Sequence, residues 1–235
     1  MQSPLNQAAI PLVFTRPLAI VGGGTVDQAL LRELAARGVA LVGADGGGDT
    51  IGAAGLVPEA IIGDLDSLRD REGWEQRTRV IELSEQVTTD FQKALYSTQA
   101  PVTLALGMTG KRLDHTLAAL SALLQVGAER HVLLVDEVDV ALAVSGPFAF
   151  EAQAGERVSV HPLLPVRFER SAGLAYPLDG LVLDPAGRLG TSNAATGGLV
   201  EIVPADGTVW LLILGRERLW DLVLQCLSRQ EAPPP

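Results

Sequence analysis

Leu18-Ala-Ile-Val-Gly-Gly-Gly24, Val39-Ala-Leu-Val-Gly-Ala-Asp-Gly-Gly-Gly48 and Ala60-Ile-Ile-Gly-Asp-Leu-Asp-Ser67 set the pattern of the first half of the chain. Each is a short apolar run that breaks into glycine or aspartate. Continuous apolar runs of this length fit strands covered on both faces. Between the first two, Asp27 to Arg37 carries Ala29, Leu30 and Leu34 at helical spacing and stops at Gly38, a common helix terminator. Further along, Val80-Ile-Glu-Leu83 reads as a strand and Thr89 to Ser97 as a helix. Val102 to Leu106 is a strand, Asp114 to Val126 a helix, and His131 to Val135 another strand. This alternation predicts an α/β domain with a parallel sheet and helices on both faces.

The pattern changes near Ser145. From there to Leu214 no long helix is predicted. Short β-rich runs (Arg157 to Val160, Leu181 to Leu183, Leu199 to Val203, Val209 to Leu214) alternate with Gly, Pro and Asp turns. They predict a smaller antiparallel β domain. The boundary falls at 144/145, giving domains 1–144 and 145–235. Glu217 to Arg229 is expected to form a closing helix, and the tail Pro233-Pro-Pro235 to fray.

Composition narrows the function. The chain has 235 residues, 47% of them hydrophobic, and a formal net charge of -10. So acidic a surface is a poor match for nucleic acid, whose backbone calls for clustered Lys and Arg. It favours a cationic ligand, or an anionic nucleotide neutralised by metal. Cys226 stands alone, so no intrachain disulfide forms, which fits a reducing compartment. No apolar stretch approaches the ~20 residues that span a bilayer. Met1 to Phe14 lacks a basic start followed by an apolar run. A soluble, cytoplasmic protein without membrane association is expected.

The chemistry-bearing residues cluster at predicted strand ends, where open parallel sheets bind ligands. Asp45 and Gly46 follow the second strand, Asp64 and Asp66 the third. Asp90 opens the helix after the fourth. Gly107-Met-Thr-Gly-Lys-Arg-Leu-Asp-His115 follows the fifth. Asp64 and Asp66 are two apart, so in an extended segment both side chains point the same way. Two adjacent carboxylates repel unless a cation separates them, and Mg²⁺ suits oxygen ligands. The competing reading is a solvated turn with a helix cap. Gly107 to Lys111 is too short for a Walker loop, and Arg112 stands where Ser or Thr would be needed. Arg112 offers a fork for phosphate oxygens. Asp114 either caps its helix or joins a metal site, and His115 either packs on the sheet or touches nucleotide. Lys93 reads as a solvated helix position.

Taken together these segments resemble thiamine pyrophosphokinase. The matching pieces are Ala44-Asp-Gly-Gly47, Pro58 with Ile61-Ile-Gly-Asp-Leu-Asp-Ser67, Thr89-Asp90 with Lys93-Ala-Leu95, Gly107, Gly110 to Arg112, and Asp114-His115. Gly173-Leu-Ala-Tyr-Pro-Leu178 and Gly190-Thr-Ser-Asn193 resemble the family's thiamine-side segments. Leu65 stands where the family usually has Phe. Val87 and Thr88 stand where it often has Lys, and Ala119 where it often has Asn. The resemblance implies an ATP-binding α/β domain followed by a thiamine-binding β-sandwich. It also implies a homodimer with its active site at the subunit interface. By the same resemblance Asp64, Asp66 and Asp90 surround Mg²⁺ and the reacting hydroxyl. Asp45, Gly46, Arg112, Asp114 and His115 line the ATP side, and Tyr176, Ser192 and Asn193 contact thiamine. Tyr176 suits a flat cation as an aromatic platform or packs in the core beside Pro177. Ser192-Asn193 fits a substrate contact or a β-turn. The expected reaction passes the diphosphate of ATP to the thiamine hydroxyl. A metal-dependent phosphohydrolase and a non-catalytic thiamine or nucleotide sensor are the alternatives.

Overall fold

The computed structural model describes residues 11–231. The tail at Pro233-Pro-Pro235 and most of the segment read for a leader therefore lie outside the described residues. Contacts divide the chain into two units. One runs to Ala122 and takes in Leu134–Glu137 and the chain from Val223. The other comprises Leu123–Leu133 and Val138–Leu222.

The first unit begins with β1 (Leu12–Val13), β2 (Leu18–Val21), α1 (Gln28–Ala36) and β3 (Ala40–Ala44). Then follow α2 (Gly47–Ala53), β4 (Ala60–Gly63), α3 (Arg71–Glu75), β5 (Arg79–Glu82) and α4 (Asp90–Tyr96). β6 (Thr98–Gln99) pairs with β1, and β7 (Thr103–Leu106) leads to α5 (Leu113–Val126) and β8 (Val132–Val135). Strands β7, β2, β3, β4 and β5 are neighbours in that order, and every pairing among them is parallel. Every residue of β2, β3, β4 and β7 is buried, which is why these runs are apolar without alternation. The edge strand β5 is only partly covered. α1 starts where the Asp27 carboxylate accepts the Ala29 and Leu30 N–H groups, and it ends before Gly38, at φ +81°. Its buried face is Leu31 and Leu34, one residue round from the stripe expected through Ala29 and Leu30.

The glycine run after β3 turns at Asp45-Gly46 and is helical from Gly47, which opens α2. Packing there is close: a Cβ on Gly47 would lie 1.7 Å from the Val21 carbonyl oxygen, which is backbone and cannot yield. Glycine there lets the start of α2 sit against the end of β2.

The second unit holds β9 (Asp139–Val144), β10 (Phe148–Ala152), β11 (Arg157–Pro162), β12 (Val166–Ala172), β13 (Val182–Leu183), β14 (Gly190–Ala194), β15 (Gly198–Pro204) and β16 (Trp210–Gly215). β14, β11, β16 and β9 pair antiparallel in that order, as do β10, β15, β12 and β13. The ring of Trp210 on β16 meets Phe168 on β12 edge-on, at 5.7 Å between centroids. Both are fully buried, so this aromatic pair ties the two sheets of the unit together. A 3-10 turn, Arg216–Arg218, precedes α6 (Leu219–Glu231). The fold is thus mixed α/β, with a parallel sheet and antiparallel strands. The boundary read at 144/145 differs from the contact division: β9 already pairs with β16, and the chain from Val223 groups with the first unit. No described helix is long and apolar enough to cross a membrane.

Gly47→Ala is expected to lower stability by about 2–4 kcal/mol, read as a shift in the denaturant midpoint at constant slope.

Candidate active site

The carboxyl ends of β2, β3, β4 and β7 open onto a cavity of ≈ 230 Å³. Gly22 to Gly24, Asp45, Gly46, Ser67, Asp90, Met108, Lys111, Arg112 and His115 line it. The sheet order brings β3 and β4 side by side, and that adjacency gathers the aspartates.

Asp45, Asp64 and Asp66 each bring an oxygen within 4.8 Å of the others. The route differs from the extended segment read from spacing. Leu65 takes φ +65°, so the chain turns between Asp64 and Asp66, and the Asp66 N–H donates to Asp64 Oδ1 at 3.3 Å. Leu65 itself is buried against Ile61, Leu68 and Trp74, which anchors this left-handed residue. Asp45 is also left-handed, φ +48°, a conformation Asp tolerates better than most residues. Its Oδ2 accepts the Ser67 N–H at 3.2 Å. Its Oδ1 is buried without a hydrogen-bond partner. A buried carboxylate oxygen needs a partner, and an oxygen-seeking cation among three carboxylates supplies one. The residues therefore fit a divalent metal.

Burial, with Asp90 and Asp66 nearby, raises the Asp45 carboxyl above the usual aspartate range despite the Ser67 and Gly46 hydrogen bonds. Asp64 moves the other way. The Gln86 amide, 3.0 Å from its Oδ2, is the main cause, helped by the Asp66 N–H and Lys93 against the cost of burial.

Asp90 stands apart from that trio. It is the first residue of α4, after the N-cap Thr89, whose hydroxyl and Gln92 close a capping box. Its Oδ1 accepts the Asp64 N–H at 3.2 Å and the Lys93 ammonium at 3.2 Å. Lys93 lies 3.7 Å from Asp64 Oδ2 as well. Lys93 is only 1% exposed, which overturns its reading as a solvated position. A buried ammonium needs carboxylate partners, and this one joins Asp64 to Asp90. Its spacing of three from Asp90, one face of a helix, was the available signal. Gln86 was missed because the irregular stretch before α4 has no periodicity to mark it.

On the far side of the cavity Lys111 Nζ donates to the Gly23 carbonyl at 2.7 Å. Arg112 forks onto Asp114, at 3.1 and 2.6 Å. Both side chains are largely exposed, and the guanidinium holds the Asp114 carboxyl low. Asp114 lies inside the first turn of α5, paired with Arg112 rather than in the carboxylate trio. His115 is exposed and lines the cavity, so it does not pack on the sheet.

The second unit carries Tyr176, Ser192 and Asn193. Tyr176 is 68% exposed, which excludes core packing. Ser192 and Asn193 lie within β14 rather than in a β-turn. Ser192 takes φ +59° and its N–H donates to Ser159 Oγ at 3.0 Å. Asn193 is buried. Its Oδ1 accepts the Tyr176 N–H at 3.0 Å, and its Nδ2 donates to the Tyr176 carbonyl at 2.6 Å. The amide thus clamps the backbone of Tyr176, and its Oδ1 also accepts the Ala194 N–H at 2.9 Å.

A glycine-edged cavity beside clustered carboxylates, at the carboxyl edge of a parallel sheet, suits a phosphate-bearing ligand held together with a divalent ion. Residues 31–135 match the family model for the thiamin pyrophosphokinase catalytic domain. Thiamin pyrophosphokinase 1 of Caenorhabditis elegans is 26% identical over 172 residues, 67% of this chain and 70% of that protein. The thiamin pyrophosphokinase structure from Geobacillus thermodenitrificans aligns with TM-score 0.71 at 26% identity, covering 85% of this chain and 97% of that one. The Candida albicans thiamin pyrophosphokinase aligns over 92% and 94%, with TM-score 0.72 and 15% identity, a likeness of fold. Over residues 31–135 the chain is thus similar in sequence to the thiamin pyrophosphokinase catalytic domain, and across most of its length it shares the fold of these structures.

The raised Asp45 carboxyl has a consequence for stability. The folded protein holds this proton more tightly than the unfolded chain, so ionisation costs stability as pH rises from the usual aspartate range through the folded value. Asp64 acts oppositely: its contribution is present above that range and is lost as pH falls. Asp45→Asn, without divalent metal, is therefore expected to raise the thermal midpoint at pH 7 by about 2–4 °C. The gain should vanish below the aspartate range, and Mg²⁺ should stabilise the native protein more than the variant. Thermal unfolding across pH, with and without Mg²⁺, measures all three.

Proposed function

We propose that this protein transfers the diphosphate of ATP to the hydroxyl of thiamine, forming thiamine diphosphate and AMP. The observation that carries this reading is the trio Asp45, Asp64 and Asp66 beside the glycine-edged cavity, in a chain similar to this family over residues 31–135. Asp64 and Asp66, flanked by Asp45 and Asp90, would hold Mg²⁺. When bound, the ion neutralises charge on the transferred diphosphate. Arg112, Lys111 and His115 on the opposite wall suit the phosphates and nucleotide. An oxygen–phosphorus bond forms to the β-phosphorus of ATP, the bond to the α-phosphate bridge breaks, and the hydroxyl proton passes to a carboxylate, Asp66 or Asp90. Such transfer depends on positioning and charge neutralisation more than on covalent help.

Tyr176 supplies an exposed aromatic face suited to the thiamine cation. Ser192 on β14 adjoins Asn193, whose amide sets the Tyr176 backbone. The second unit is the thiamine side of a β-sandwich, the first the ATP side. The active enzyme is a homodimer, with the site completed at the subunit interface, in the cytoplasm. Neither the phosphohydrolase nor the sensor reading is favoured by any feature of the site.

Incubation with MgATP and thiamine should yield AMP and thiamine diphosphate in equal amounts. Phosphate release that does not need thiamine would instead mark a hydrolase. Asp64→Asn should lower kcat by about 10²-fold or more while leaving the circular dichroism spectrum unchanged. A variant with normal turnover removes Asp64 from the chemistry. Tyr176→Ala should raise the KM for thiamine about 5- to 30-fold, the worth of a cation–π contact, with a smaller change in KM for ATP.

A further inference from the structure

The segment between β5 and α4 has no helix or strand of its own, yet two functional groups hang from it. Gln86 donates to Asp64 Oδ2 at 3.0 Å, and Thr89 caps the helix that begins with Asp90. Val87 is 81% exposed, so apolar packing does not hold the segment. Glu85 does. Its Oε2 accepts the Val87 N–H at 2.7 Å and the Thr88 N–H at 3.0 Å. Its Oε1 accepts the Thr88 hydroxyl and, at 3.1 Å, the Tyr96 hydroxyl from the last turn of α4. Four donors thus converge on one half-buried carboxylate. Burial pushes this carboxyl up, but the hydrogen bonds from Thr88, Val87 and Tyr96 prevail and hold it below the usual glutamate range.

We propose that Glu85 is a positioning residue: by tying the turn at Val87-Thr88 to Tyr96 it sets Gln86 on Asp64 and Asp90 at the helix start. The proposal rests on the functional reading above. It follows from donor geometry, because a loop pinned to both ends of α4 presents its side chains in one register. A glutamine at 85 can preserve the arrangement. Its carbonyl oxygen takes the two backbone N–H groups. Its amide N–H groups donate to the Thr88 and Tyr96 hydroxyls, which reverse to accept. Alanine offers none of this.

The test compares wild type, Glu85→Ala and Glu85→Gln by steady-state kinetics and by amide hydrogen exchange in the absence of ligands. Glu85→Ala is expected to lower kcat about 10- to 100-fold, with a smaller change in either KM, and to speed exchange at Val87 and Thr88. Glu85→Gln is expected to restore both to within about threefold of wild type. Should Glu85→Ala fail to fold, the double variant Thr88→Val with Tyr96→Phe removes two of the donors and is expected to show the same direction of change. Wild-type kcat or wild-type exchange in Glu85→Ala, or in that double variant, overturns the proposal. So does Glu85→Gln as impaired as the alanine variant, which would assign the role to charge rather than geometry. A wild-type protein that forms no thiamine diphosphate overturns the functional reading, and with it the kinetic part of this proposal. Unchanged exchange beside an active wild type overturns the Glu85 clamp alone.

Discussion

Four aspartates crowd one edge of a parallel sheet, and their mutual repulsion is the constraint on which the site depends. Like charges at such distances are held only by compensating positive charge or by protonation. The protein meets part of that demand internally. Lys93, buried, places one ammonium against both Asp90 and Asp64. Gln86 and the Asp66 N–H further settle Asp64. Asp45 is left uncompensated on one oxygen, and it is the carboxyl that burial drives up. The residual charge therefore sits where a cation would complete the group.

Holding these side chains in place falls to the backbone. Asp45 and Leu65 both adopt left-handed conformations, which cost about 1 kcal/mol or more for non-glycine residues. At Leu65 local structure offsets the cost. Leu65 is driven into the Ile61–Leu68–Trp74 cluster. Asp49, on α2, accepts the Arg69 N–H and the Trp74 indole N–H, both at 3.0 Å. The loop that carries Asp66 is thereby tied to α2. Leu65, where the family usually has Phe, is an apolar anchor at this turn. The Val87-Thr88 departure is absorbed in a different way, since the Thr88 hydroxyl joins the hydrogen bonds around Glu85.

The second unit shows division of labour between neighbouring side chains. Tyr176 presents its ring to solvent, whereas Asn193 turns inward and fixes the Tyr176 backbone through both halves of its amide. A residue matched by family resemblance is thus engaged within the fold, on the backbone of a second matched residue. A buried amide with both groups engaged is expensive to redirect.

What the amino-acid sequence determined by itself was local in origin. Unbroken apolar runs marked the parallel strands, glycines and aspartates marked their ends, and Asp27, Gly38 and Thr89 marked helix boundaries. Each of these signals acts over a few residues. The convergence of Asp45 with Asp64 and Asp66 was not legible, because it depends on β3 and β4 being neighbours and on the hand of the backbone at Leu65. Lys93 looked solvated because burial is a property of what packs above a helix, not of the helix. The strand β9 was not read from the sequence although Asp136-Glu137 separates it from β8, and its pairing with β16 joins segments some 70 residues apart. Tertiary structure decided these points because charge compensation and strand order are interactions between distant parts of the chain, on which local pattern is silent.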